Sequence, residues 1–433
     1  MTPDLLLKGG LLLDPETGAT RRADVLIRDG RIARIAPDLD AAGVPVYDAS
    51  GKMLSPGWMD MHVHLREPGF EHKETIETGC RAAAFGGFTA VACMPNTNPP
   101  IDTPEVVAFI RERAEATPVD VYPIACVSVG RNGAALTGAV LAGLDALAGA
   151  GAVAFSDDGS PVQSSALMRQ ALEAAARLDR PIINHMEDMT AGPKGHMNEG
   201  AVSRRLGIRP VPALSEEMMI ARDLLLCELT GGPLHVAHLS TAKGAALVRL
   251  AKARGLPVTA EVCTHHVTLT DEAVAASGCD PNTKMHPPLR TAADVAALKE
   301  ALRDGTLDAL CTDHAPHAPE EKAAPFEEAP FGILGLETAW GLTGRELIAP
   351  GVLSVAEAVY KLTVAPRRIL RLPVPRLAEG EAANLTVFDA TTRWTFEERH
   401  IRSKSRNTPF VGWEMIGRAW AIYNKGQLVT NEG

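Results

Sequence analysis

The amino-acid sequence predicts an α/β protein: a (β/α)8 barrel with a small composite β domain, a β-sandwich built from both ends of the chain. Two observations predict it. Between about residues 53 and 370, eight short apolar runs alternate with helix-like stretches, the signature of repeated βα units on a parallel sheet. On either side of that region lie β-type runs punctuated by turn residues, and the two flanks share one texture. A doubly wound open sheet is the other architecture compatible with the alternation. The expected division is residues 1–52 with 372–433 in the β domain, and residues 53–371 in the barrel.

The N-terminal flank supplies LLLKGG, LLLDPETG, ADVLIRDGRIARIAP and VPVYDAS, with Asp29 and Gly30 as a two-residue hairpin turn, and predicts a small antiparallel sheet. The C-terminal flank supplies ANLTVFDATTRWTF and RAWAIYNKGQLVTN after Pro373 and Pro375. The eight strands expected between them are GWMDMHVHL, FTAVACMPN, VDVYPIACVS, GAVAFSDD, PIINHMED, LHVAHLS, PVTAEVCTHHV and DALCTDHAP. Helix starts are expected at Thr75, at Thr103 ahead of Pro104, and at Ser215 ahead of Glu216 and Glu217. Ser354 with Glu357 forms a capping-box pattern. The Ala-, Pro- and Glu-rich stretch 318–330 is expected to be a loop free to act as a lid.

Composition narrows the function classes. With 46% hydrophobic and 22% charged residues among 433, the chain can bury a large core. A net charge of −10 without a Lys/Arg run argues against nucleic acid. The seven cysteines are widely spaced and form no C-x-x-C, so reduced thiols in a cytoplasmic protein are expected rather than a disulfide framework or a thiolate zinc site. The start MTPDLLLKGG has no signal-peptide pattern, and no apolar run is long enough to cross a bilayer.

In a barrel of this kind the active site lies at the C-terminal ends of the strands. Those ends carry His62 and His64 on the first strand and Asp157 and Asp158 on the fourth. They carry His185 on the fifth, His238 on the sixth and Asp313 on the eighth. Residues i and i+2 of a strand share a face, so His62 and His64 can bind one ion. A single strand histidine is more often a satisfied core residue; four of them with two carboxylate positions at strand ends point to a metal. Six ligand side chains exceed the need of one tetrahedral ion with an open position, so two ions bridged by a carboxylate are expected.

The runs DMHVHLREPG (60–69), MPNT (94–97), AFSDDG (154–159), NHMED (184–188), VAHLST (236–241), PPLR (287–290), TDHAPH (312–317) and PFGILGLET (330–338) resemble the bacterial dihydroorotases of the amidohydrolase superfamily, and more narrowly their long, type I class. The resemblance implies that His62, His64 and Asp313 bind one Zn2+, that His185 and His238 bind a second, and that Asp158 bridges them. Asp157 is then left to a turn or cap contact. It further implies Asp313 as the catalytic acid/base, and Arg66, Asn96, His286, His317, Phe331 and Gly332, with His64, as substrate contacts. Where the family commonly reads N-P-P-L-R this chain has His286 before Pro287. A neutral-range imidazole at that place predicts a substrate affinity more dependent on pH than an asparagine gives.

The implied reaction is the reversible cyclisation of N-carbamoyl-L-aspartate to dihydroorotate plus water, a step of pyrimidine synthesis. The implied partners are this small-molecule substrate, other copies of the chain in a homo-oligomer, and aspartate carbamoyltransferase. Two alternatives remain: a hydantoinase- or allantoinase-like cyclic amidohydrolase, and an inactive scaffold subunit for the transferase. In hydantoinases the superfamily pattern places a carbamylated lysine at the bridging position, and GAVAFSDDGSPVQ contains no lysine. Asp60 is expected to orient a ligand histidine, and His265 and His266 are left outside the metal set.

Overall fold

The chain is described from a computed structural model, which covers residues 4–40, 42–192 and 194–431. Its first sheet begins with β1 (Leu5–Leu13), β2 (Thr20–Arg28), β3 (Arg31–Ala36), β4 (Val46–Asp48) and β5 (Met53–Pro56). Asp29 and Gly30 connect β2 to β3 with φ of 48° and 72°, the backbone a two-residue hairpin loop of the expected type requires. The sheet departs from the expected antiparallel pattern, because β1 pairs in parallel with both β4 and β5. The connection after β3 brings the chain back to the same end of β1, and a parallel pairing results.

The barrel follows: β6 (Trp58–Val63), β7 (Phe88–Cys93), β8 (Asp120–Ala125), β9 (Ala154–Phe155) and β10 (Ile182–Asn184). A two-stranded ribbon, β11 (Met197–Asn198) with β12 (Pro210–Val211), interrupts it before β13 (Leu234–Val236), β14 (Val258–Cys263) and β15 (Ala309–Cys311). The eight barrel strands run in the order β6, β7, β8, β9, β10, β13, β14, β15, all parallel. A parallel bridge between Val63 and His314, with His64 N–H donating to the His314 carbonyl at 2.8 Å, closes the ring. The fold is therefore the (β/α)8 barrel and not the open sheet.

The C-terminal strands β16 (Leu385–Thr395), β17 (Glu414–Asn424) and β18 (Gln427–Thr430) join the first sheet through the antiparallel pairing of β16 with β5, Leu54 opposite Val387. A fully buried aromatic seam ties this sheet to the barrel: the Trp58 ring lies 4.7 Å from Trp340 and 5.1 Å from Phe388. Burial of such rings contributes both apolar area and edge-on contact.

The helix Ile76–Gly86 starts at Thr75, whose side chain accepts from Thr78 N–H, and Ser354 with Glu357 makes a reciprocal capping box for the helix Val355–Ile369. Thr103 precedes Pro104 at the helix start without a side-chain cap bond. Ser215 does not open a helix. The helix runs Ala213–Thr230 from Pro212, and the Ser215 hydroxyl turns inward to the Asp188 carbonyl at 3.1 Å. Glu216 beside it is buried and accepts from Thr241 N–H at 2.9 Å and Ser240 N–H at 3.1 Å, so both residues hold the loops after β10 and β13.

Residues 401–410 leave the β sheet and cross the barrel at the strand C-termini. Glu337 accepts from the N–H groups of Arg402 and Ser403 at 3.1 and 3.0 Å, and buried Glu74 accepts from Lys404 N–H at 3.0 Å and from the Ser403 hydroxyl. The segment is thus stitched to the barrel by its backbone.

Candidate metal centre

His62 and His64 stand at the end of β6 and immediately past it, where the strand periodicity directs both rings inward. His185 follows β10, His238 lies two residues past β13, and Asp313 two past β15. Asp158 lies three residues beyond β9. All six side chains are buried. Arg66, His238 and Asp313 have φ of 63°, 31° and 49°, left-handed conformations that non-glycine residues seldom adopt, and such strain collects where the chain must aim functional groups.

The donor atoms converge. Asp158 Oδ1 lies 3.5 Å from His62 Nε2, 3.5 Å from His238 Nε2 and 3.6 Å from His185 Nδ1, while Asp158 Oδ2 lies 3.6 Å from His64 Nε2. Asp313 Oδ1 stands 2.9 Å from His64 Nε2 and 3.6 Å from His62 Nε2. Ligand atoms around a tetrahedral ion with bonds near 2.1 Å stand about 3.4 Å apart. Asp158 therefore faces both histidine pairs, as a bridging carboxylate must.

The hydrogen bonds on the far side of each ring fit the same use. His62 Nδ1 meets Glu261 Oε1 at 2.6 Å and His64 Nδ1 meets Asn96 Oδ1 at 2.7 Å. Both partners are acceptors, so each Nδ1 carries the proton and each Nε2 presents its lone pair to the centre. His62 Nε2 and Asp158 Oδ1 are buried without a hydrogen-bond partner, a cost that a cation would remove. Burial, with His286 and His238 nearby, lowers His185 to about 4, so this ring is neutral as a ligand must be. Burial would raise Asp158 and Asp313, but the surrounding imidazoles outweigh it and hold both carboxyls below the usual range. The donor set fits divalent cations held by nitrogen and oxygen.

Asp157 points elsewhere. Its Oδ1 accepts from the N–H groups of Val127 and Ser128 at 2.9 and 3.1 Å, and Oδ2 accepts from the Ser128 hydroxyl. Asp60 does not orient a ligand ring: it accepts from His62 N–H at 3.1 Å and binds Thr312. The carboxylate that does is Glu261, which the strand reading passed over. An acid in the otherwise apolar run PVTAEVC was the available signal, since a buried charge requires a partner. Cys263, His265 and His266 are also grouped and buried beside the centre; His266 Nε2 donates to the Pro287 carbonyl at 3.0 Å.

Arg66 is buried, and its Nε donates to the Pro316 carbonyl at 3.0 Å, with Nη2 3.4 Å from His317 Nε2. Burial brings the guanidinium down to about 10, which leaves it charged at neutral pH. His317, lowered by burial and by Arg66 to about 2, is neutral and donates from Nε2 to the Phe331 carbonyl at 2.8 Å. The Gly332 N–H donates to the Lys284 carbonyl at 2.8 Å, so the backbone contacts expected at Phe331 and Gly332 are already engaged in part. His286 stacks on Phe331 at 4.8 Å and pairs through Nε2 with Glu187 Oε2 at 3.0 Å. Burial would raise Glu187, yet His286 brings it down to about 2.

Residues 318–330 are tethered rather than loose. Lys322 Nζ donates to the carbonyls of Pro281 (3.0 Å) and Pro330 (2.8 Å), and Lys284 Nζ to those of Glu327 (2.9 Å) and Ala329 (2.6 Å). Among the described residues, no helix is long and apolar enough to cross a membrane.

Comparison with known proteins gives the family. The family model described as Dihydro-orotase-like matches residues 51–244. The chain is 50% identical to the dihydroorotase of Pelotomaculum thermopropionicum over 428 residues, 99% of each chain. It is 46% identical to that of Citrifermentans bemidjiense, over 98% of this chain and 99% of the relative. Among solved structures, L-hydantoinase (dihydropyrimidinase) from Arthrobacter aurescens matches with a TM-score of 0.86 at 25% identity, covering 100% of this chain and 97% of the other. D-hydantoinase from Thermus sp. matches at 0.80 and 25%, covering 98% and 95%. Near-half identity along the whole length, on a barrel with this donor set, is decisive: the chain belongs to the dihydroorotase family.

Proposed function

We propose that the protein is a type I dihydroorotase that interconverts N-carbamoyl-L-aspartate with dihydroorotate and water, using two zinc ions. The observation that carries this reading is the Asp158 carboxylate facing both histidine pairs, in a chain whose full-length relatives are named dihydroorotase. His62, His64 and Asp313 would hold one ion, His185 and His238 the other, with Asp158 between them. When bound, such ions lower the proton affinity of water and polarise an amide carbonyl.

The chain's own groups supply the rest. Asp313, held ionised, accepts a proton from the attacking water and returns it to the leaving ring nitrogen, its Oδ1 standing 2.9 Å from His64 Nε2. Arg66 is placed by Pro316 to hold the substrate carboxylate with its planar fork. Asn96 spends its oxygen on His64 and keeps its amide N–H groups for the same carboxylate. His317, His286 and the Phe331 and Gly332 segment form the remaining wall. To the same proposal belong a cytoplasmic location, a homo-oligomeric state, association with aspartate carbamoyltransferase, and residues 1–52 with 372–433 and 53–371 as two domains.

The hydantoinase likeness of the fold favours a second reading. An aspartate and not a lysine occupies the bridging place, which supports the first. Turnover of dihydroorotate against hydantoin and allantoin by the purified protein decides between them: dihydroorotate is expected to be the preferred substrate, and faster hydrolysis of hydantoin would overturn the assignment.

A further inference from the structure

We propose that Asn407 is a positioning residue that braces the alignment of the two paired segments of the substrate wall, residues 315–317 and 331–334. The proposal rests on the reading of this pocket as the dihydroorotate site. Asn407 belongs to the segment that crosses the barrel from the β sheet, and it is only 4% exposed.

A carboxamide offers two N–H donors and one acceptor oxygen in a fixed plane, and here all of them go to the wall. Nδ2 donates to the Ala315 carbonyl at 2.9 Å and to the Gly332 carbonyl at 3.2 Å, and Oδ1 accepts from His317 N–H at 3.0 Å. The Asn407 backbone carbonyl accepts from Leu334 N–H at 2.9 Å. The two segments approach closely: Gly332 has φ of 105°, and a Cβ there would lie 2.5 Å from the Ala315 Cβ. The segments are joined directly where Ala315 N–H donates to the Ile333 carbonyl at 2.8 Å, and the Asn407 amide clamps that join from outside.

What hangs on that alignment is the substrate pocket. His317 donates across the same gap to the Phe331 carbonyl, Phe331 stacks on His286, and the Pro316 carbonyl within the first segment holds Arg66. Asn407 touches none of the reacting groups in this scheme; it acts through His317, Phe331 and Arg66. An apolar replacement would leave two buried carbonyls and one buried N–H unpaired and loosen the alignment of the segments about their one backbone join.

The test is Asn407→Ala in the full chain, read by steady-state kinetics, metal content and amide hydrogen exchange. Loss of alignment should raise KM for dihydroorotate about tenfold or more, with kcat changed far less and metal content unchanged. The His317 and Leu334 amides should exchange faster while the barrel strands stay protected. Unchanged exchange at those amides overturns the proposal, as does activity that falls only with the folded fraction at constant KM. If wild-type protein fails to hydrolyse dihydroorotate, the functional reading falls, and the exchange measurement still decides the positioning role. Should the alanine variant not fold, Asn407→Asp takes its place: it keeps the acceptor for His317 N–H, loses both donors, and is expected to give the same shifts.

Discussion

His62 Nδ1 lies 2.6 Å from Glu261 Oε1, with both side chains completely enclosed. The pair fixes the ring tautomer and raises the basicity of Nε2, which faces the centre. Glu261→Gln is therefore expected to weaken metal binding about 10- to 100-fold. Competition with a chelator measures this; an unchanged affinity would show that Glu261 serves packing alone.

Asp157 and Asp158 should separate cleanly. Asp158→Ala should abolish tight binding of the second equivalent of metal. Asp157→Ala should retain metal and lose roughly 2 to 4 kcal/mol of stability, because the Val127 and Ser128 donors are left unpaired. Metal counts and thermal melts on the two variants check the assignment, and the reverse pattern would reassign the bridge to Asp157.

Arg66→Lys keeps the charge but loses the planar fork and the bond to the Pro316 carbonyl. The expected result is a KM for dihydroorotate raised about 10- to 100-fold with kcat less affected. Equal kinetics in the two proteins would remove Arg66 from the substrate site.

Lys322 gives a pH dependence. Burial lowers it from 10.5 to about 7, so its contribution to stability is present above the unfolded value and is lost as pH falls through the folded one. The Tm of wild type relative to Lys322→Met should rise between about pH 7 and about pH 10.5 and be flat below that window. A pH-independent difference would mean that the buried ammonium carries no such penalty.

The barrel was legible because each strand is a short apolar run and the catalytic end concentrates histidine and aspartate, a pattern written locally. His62, His64, Asp158, His185, His238 and Asp313 could be read one strand at a time, and the structure brings all six together. Glu261 and Asn407 were missed for a different reason: their partners lie 199 and 75 to 92 residues away, and only the closed ring and the crossing segment create those contacts. Ser215 and Asp60 show the converse. Both carry sound local signals for a cap and an orienting carboxylate, but tertiary packing turned Ser215 to Asp188 and Asp60 to Thr312.

The most direct measurement is hydrolysis of dihydroorotate by the purified protein with and without chelator, combined with a zinc count per chain. The proposed two-ion centre predicts turnover that the chelator abolishes, restored by zinc at about two equivalents. Turnover that survives complete removal of metal, or a metal-loaded protein inert toward dihydroorotate, would contradict it.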